Sequence, residues 1–136
     1  MADTAHDIFL SYDRGESPFV RAVADELRLQ GVDSWFHDGR LLAGSSWLEE
    51  TADALASSKV VVVFIGATRE SPWVNFEIGA AVGREKRVLP VFLTEDAAKR
   101  GAPSVLSNLV GIDAHNRKPD EVARQIVEAI SERARP

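Results

Sequence analysis

The chain has no cysteine, which excludes disulfides and thiolate chemistry and suits a reducing, cytoplasmic setting. It also has no long hydrophobic run. The most apolar stretch, Val60 to Ile65, is far short of the ~20 residues a membrane-spanning helix needs, so no membrane is expected as a partner. The opening residues, Met1-Ala2-Asp3-Thr4-Ala5-His6, carry neither a basic stretch nor an apolar one and do not have the form of a secretion signal. Excess positive charge is missing too. The net charge is −5 over 136 residues, and the lysines and arginines are scattered, which argues against a nucleic-acid partner. His6, His37 and His115 stand apart from one another with no second ligand at zinc spacing, so they read as loop or surface histidines and no metal is expected.

Several catalytic signatures are absent as well. The turn after the first apolar run reads Ser11-Tyr12-Asp13-Arg14-Gly15-Glu16-Ser17 instead of G-x-G-x-x-G, which disfavours NAD as a bound hydride carrier. No phosphate-binding G-x-x-x-x-G-K-[ST] occurs, and no G-x-S-x-G nucleophile elbow. No resident cofactor is expected.

What is present is an alternation of short apolar runs with amphipathic stretches. Asp7 to Ser11 reads as a first strand, and Ser17-Pro18 opens a helix in which Phe19, Val23 and Leu27 repeat at helical spacing up to Gly31. Val32 to Phe36 reads as a second strand, with Trp35 and Phe36 in the core. Ser46 and Glu49 then form an S-x-x-E capping box for a helix toward Ser57. Lys59 to Ile65 is nearly all β-branched with no polar alternation, as expected of a central parallel strand covered on both faces. Val88 to Leu93 gives a fourth strand, Leu109 to Ile112 a fifth, and Pro119 to Arg133 a last helix with Val122, Ile126, Val127 and Ile130 inward; Thr94 to Ser107 has no clear assignment.

The length fits one domain over residues 1–136. Alternating strands and helices imply an α/β fold with a flavodoxin-like doubly wound parallel sheet, order 2-1-3-4-5, and helices on both faces. The winding direction reverses between strands one and three, so the ligand crevice opens at their C-terminal ends. Ser11, Tyr12 and Arg14 follow strand one at that place. A phosphorelay receiver would need an aspartate ending strand three, but the chain there reads Ile65-Gly66-Ala67-Thr68.

Beyond strand three, Ser71 is a suitable N-cap and Pro72 a suitable first helical residue, for a helix running toward Arg84 or Lys86. Trp73 and Glu77 are then i and i+4 on one face. Phe76, Ile78, Ala80 and Ala81 surround Glu77 with apolar atoms, so its carboxylate is either paired, for example with Arg84, or functional.

Three segments in order, His6-Asp7-Ile8-Phe9-Leu10-Ser11-Tyr12, Asp38-Gly39-Arg40-Leu41-Leu42-Ala43-Gly44 and the W-x-x-x-E of Trp73 and Glu77, resemble a Toll/interleukin-1 receptor (TIR) domain of the bacterial, NAD-consuming type. The resemblance runs from about Asp7 to the last helix. It implies that Glu77 is the catalytic acid for breaking the nicotinamide–ribose bond of NAD, which is substrate rather than cofactor. It further implies that Ser11, Tyr12, Arg14, Gly44 and Trp73 bind substrate, Arg14 toward the adenosine or pyrophosphate end and Trp73 at nicotinamide. Trp47 lies about one residue out of register with the family's adenine-stacking position and is not assigned. Hydrolysis would give ADP-ribose and internal attack a cyclic isomer, and both remain open.

The His37–Ser45 loop corresponds to the family's BB loop, which mediates TIR–TIR self-association, in some cases into filaments. Here Ala43 replaces the proline common before the glycine, which leaves the loop less restrained. The resemblance implies bacterial immune signalling by an enzyme. A non-enzymatic adaptor working through TIR–TIR contacts is the other reading, and a nucleotide-sugar hydrolase a third. The resemblance also allows a sensor domain after Pro136.

Overall fold

In the computed structural model, residues 6–36, 53–66, 79, 86–100 and 111–134 are described. Their sheet is built from β1 (His6–Ser11), β2 (Ser34–Trp35), β3 (Ser58–Ile65), β4 (Arg87–Phe92) and β5 (Ile112–Asp113). All pairings are parallel and the order is β2-β1-β3-β4-β5, as the alternation of elements predicts. In register, Ile8 lies beside Val60, Ser11 beside Val63, and Val63 beside Pro90.

β3 forms the centre because Val60, Val61, Val62, Val63 and Phe64 are all buried, which only a strand covered on both faces allows. Each such side chain contributes about 1.5–3 kcal/mol of transfer free energy before ordering entropy is counted. Alternation along β1 divides the core. Ile8 and Leu10 join the face covered by α1 (Ser17–Leu29) and the last helix, whereas Phe9 packs with Ala54, Leu55, Val61 and Val63 on the other. Trp35 stacks on Phe9 with centroids 4.9 Å apart.

α1 buries Val20, Val23 and Leu27, with Phe19 at the margin of the stripe. It ends in a Schellman motif: Val32 N–H donates to Leu27 O and Gly31 N–H to Arg28 O, both at 3.0 Å. Gly31 takes φ +82° there, a conformation glycine adopts without the Cβ penalty. The last helix, Pro119–Ala134, buries Val122, Ala123 and Ile126, with Val127 and Ile130 packed at the edge of the cluster. Its start is closed by Lys118 N–H donating to Glu121 Oε1 at 2.9 Å.

Three sequence expectations are corrected. β2 holds only Ser34 and Trp35 rather than Val32 to Phe36, because Val32 is used in ending α1. β5 is Ile112–Asp113, starting after Gly111 and so later than expected, while Leu109 and Val110 lie outside the described residues. The unassigned stretch after β4 contains a helix, α2 (Glu95–Arg100), capped by Ala97 N–H donating to Thr94 Oγ1 at 3.0 Å. Pro119–Ala134 is therefore α3. Residues 53–57 are helical, in agreement with the expected second helix, but Ser46 and Glu49 lie outside the described residues. So does the expected helix from Ser71, apart from Gly79, which is helical and exposed.

Candidate functional site at the C-terminal edge of the sheet

The parallel order sends β1 to β2 in one direction and β3 to β4 in the other, so the switch point lies between the C-terminal ends of β1 and β3. Ser11 ends β1 there, beside Val63. Its side chain is fully buried, and Oγ has no hydrogen-bond partner. Such a group carries a desolvation cost of about 1–3 kcal/mol. Ordinary core packing gives no reason for a hydroxyl at this position.

Tyr12 is also buried, and its ring stacks on Phe36 with centroids 5.2 Å apart and planes 6° apart. The Arg21 guanidinium carbon lies 5.3 Å from the centre of the Phe36 ring. The Tyr12 ring is thus packed on Phe36, which the Arg21 guanidinium also approaches, at the ends of β1 and β2.

A short 3-10 turn, Arg14–Glu16, follows β1. Asp13 closes it: Glu16 N–H donates to Asp13 O at 2.8 Å and Gly15 N–H to Asp13 Oδ2 at 3.2 Å. The turn places the backbone of Arg14 beside the crevice. Glu16 occupies the N-cap position of α1, yet its side chain makes no cap hydrogen bond. Its carboxylate lies over Gly66 at the end of β3, where a Cβ would fall 2.7 Å from Glu16 Cδ. Sequence reading missed this contact. Its signals were an N-cap glutamate where Ser, Thr, Asp or Asn is favoured, and a glycine ending the central strand.

Of the expected site residues, the structure brings Ser11, Tyr12 and the Arg14 backbone to the switch point. Gly44, Trp73 and Glu77, like Trp47, lie outside the described residues. Among the described residues no cluster could hold a metal ion, and no helix is long and apolar enough to cross a membrane.

A surface pocket of about 340 Å³ lies elsewhere on the same edge, beyond β5, lined by Asp113, His115, Asn116, Arg117 and Glu121. His115 Nδ1 is 2.6 Å from Asp113 Oδ1, and its backbone N–H donates to the same oxygen at 3.3 Å. The side-chain hydrogen bond first, and then the backbone one, hold the Asp113 carboxyl below its usual value. β4 separates this pocket from β3, so it is not the switch-point crevice. The buried orphan hydroxyl and the displaced carboxylate favour the β1/β3 edge as the candidate site.

With this geometry in view, the relatives are informative. The TIR domain family model matches residues 8–127, and the chain belongs to that family. The "2' cyclic ADP-D-ribose synthase AbTIR" of Acinetobacter baumannii (strain 1295743) is 26% identical over 94% of this chain and 50% of its own length. The "NAD(+) hydrolase PdTIR" of Paracoccus denitrificans (strain Pd 1222) is 25% identical over 92% of this chain and 44% of its own. The chain thus spans half or less of these relatives. Among solved structures, a metazoan TIR-STING receptor from C. gigas, in complex with 2',3'-cGAMP, superposes with TM-score 0.77 at 24% identity, over 96% of this chain and 41% of that one. That likeness concerns the fold.

Proposed function

We propose that the chain cleaves the nicotinamide–ribose bond of NAD+, with Glu77 as the catalytic carboxylate. The observation that carries this reading is similarity over most of the chain to bacterial proteins named for NAD+ hydrolysis and 2' cyclic ADP-D-ribose synthesis. The chemistry needs no metal or resident cofactor. Nicotinamide leaves as a neutral base, taking the electron pair of the C1′–N bond and discharging its own positive charge, so no proton must be supplied. The ribose becomes oxocarbenium-like. A carboxylate beside it binds ribose hydroxyls and stabilises the growing charge, as in glycoside hydrolysis. Water then attacks C1′ to give ADP-ribose, or a nucleophile of the ligand closes a cyclic isomer, and in either case the proton of the attacking group passes to solvent.

In this reading Arg14 holds the pyrophosphate through charge-assisted hydrogen bonds. Ser11 supplies its unused hydroxyl to the ribose or to a catalytic side chain, and Tyr12, Gly44 and Trp73 shape the pocket. The same proposal includes action in the bacterial cytoplasm as an immune signal producer, and self-association through the 38–44 loop, up to a filament. If assembly completes the site, specific activity rises with protein concentration. Leu41→Glu then lowers it most at low concentration. A strictly linear rate with only monomer by light scattering contradicts assembly.

The test of the function compares wild type and Glu77→Gln, each checked for folding by circular dichroism, for release of nicotinamide from NAD+. Turnover in wild type and its loss in the variant are expected. A folded wild type that never cleaves NAD+ would leave the adaptor reading.

A further inference from the structure

We propose that Glu16 is a positioning residue for NAD+ cleavage, its carboxylate seated over Gly66 so as to latch the turn after β1 to the end of β3. This rests on the functional reading above. Two observations carry it. Glu16 stands at the N-cap of α1, where a side-chain oxygen would ordinarily accept a hydrogen bond from the first turn, yet it makes no such bond. The carboxylate instead occupies the space a side chain at Gly66 would fill. Gly66 is buried and has no left-handed φ, so its lack of a side chain answers to this contact and not to backbone strain.

The latch spans the crevice. On one side it fixes the Arg14–Glu16 turn, already closed internally by Asp13. On the other it holds the residue from which the chain continues to Trp73 and Glu77. The two proposed functional groups, Arg14 and Glu77, therefore leave from strand ends that Glu16 ties together. Reaction rates depend steeply on such spacing, and a misplacement of about 1 Å can cost ~100-fold.

Gly66→Ala is a selective probe, because the three atoms nearest the added methyl all belong to the movable end of Glu16. At Gly111, by contrast, a Cβ would fall 2.7 Å from the backbone oxygen of Pro90, and substitution there would strain the fold. The experiment measures kcat and KM for NAD+ and urea unfolding for wild type, Gly66→Ala, Glu16→Ala, the double variant and Glu16→Gln. Gly66→Ala and Glu16→Ala should each lower kcat/KM by about 10- to 100-fold. The double variant should be no worse than the poorer single one, since both break one contact. Glu16→Gln, with the same length and an acceptor oxygen, should retain most of the activity.

Additive losses, or unchanged kcat/KM in folded Gly66→Ala protein, overturn the proposal. If Gly66→Ala fails to fold, Glu16→Ala against Glu16→Gln decides it alone: equal activity in the two overturns the latch. A wild type that leaves NAD+ intact overturns the functional reading and the positioning role with it. Non-additivity in unfolding still decides separately whether the Glu16–Gly66 contact exists.

Discussion

At the N-terminal edge of the sheet the polar side chains close the backbone; at the C-terminal edge Asp13 and Asp113 do the same, but two groups between β1 and β3 depart from that pattern. Asp7 Oδ2 accepts from Asp33 N–H at 3.1 Å, and Asp33 O accepts from the amides of Asp7 and Ile8. Lys86 Nζ donates to Ala56 O at 2.9 Å and Ser58 O at 2.8 Å, and Ser58 Oγ donates to Ala54 O at 2.7 Å. Asp7 opens the first TIR-like motif, but its work here is structural. At the opposite edge Ser11 Oγ is buried without a partner, and Glu16 leaves its cap position for Gly66. One edge is built for stability. The other accepts small energetic costs where the topology opens a crevice, as expected of a site whose requirements compete with stability.

The contrast is broken most severely by Glu77→Gln. It should reduce NAD+ turnover on the order of a hundredfold or more, the usual cost of losing one preorganised electrostatic contact, with an unchanged unfolding midpoint. Lys86→Met should do the reverse. It frees two carbonyls at the N-terminal edge and should cost about 1–2 kcal/mol in urea unfolding, leaving kcat per folded molecule unchanged. A drop in kcat with Lys86→Met would show that the two edges are not separate.

Ser11→Ala sharpens the comparison further, because the two readings of that hydroxyl differ in sign. Removing an unpartnered buried oxygen should leave stability equal or slightly higher, whereas the lost contact should raise KM for NAD+ by about 2- to 10-fold. Lower stability together with unchanged KM would make Ser11 a purely structural residue.

The smallest effect belongs to Asp113. Its carboxyl lies below the ordinary value of 3.8 in the folded protein, through the His115 side chain and then its amide. A depressed pKa contributes stability above the unfolded value and loses it as pH falls through the folded one. The melting gap between wild type and Asp113→Asn should therefore be greatest near neutral pH and narrow below 3.8. A gap independent of pH would contradict the assignment.

How legible these features were in the sequence follows from their physics. β3 could be read from its unbroken β-branched run, and the strand order from alternation alone. β2 was read too long and β5 too early because, among the described residues, two of each are paired, and Val32 serves instead to close α1. α2 was missed because Glu-Asp-Ala-Ala-Lys-Arg has no large apolar side chain to reveal a period, and only Thr94 marks its start. For the site, topology brought Ser11 and Tyr12 to the switch point. The burial of Ser11 and the seating of Glu16 on Gly66 depend on contacts between distant parts of the chain, which periodicity cannot register.

The central claim is that the C-terminal edge cleaves the nicotinamide–ribose bond. The most direct measurement incubates concentrated protein with NAD+ and follows nicotinamide and the adenine-containing product by liquid chromatography. The account predicts equimolar release of nicotinamide and either ADP-ribose or a cyclic isomer, unaffected by EDTA. Intact NAD+ after prolonged incubation with folded, concentrated protein, or cleavage at the pyrophosphate instead, would contradict it.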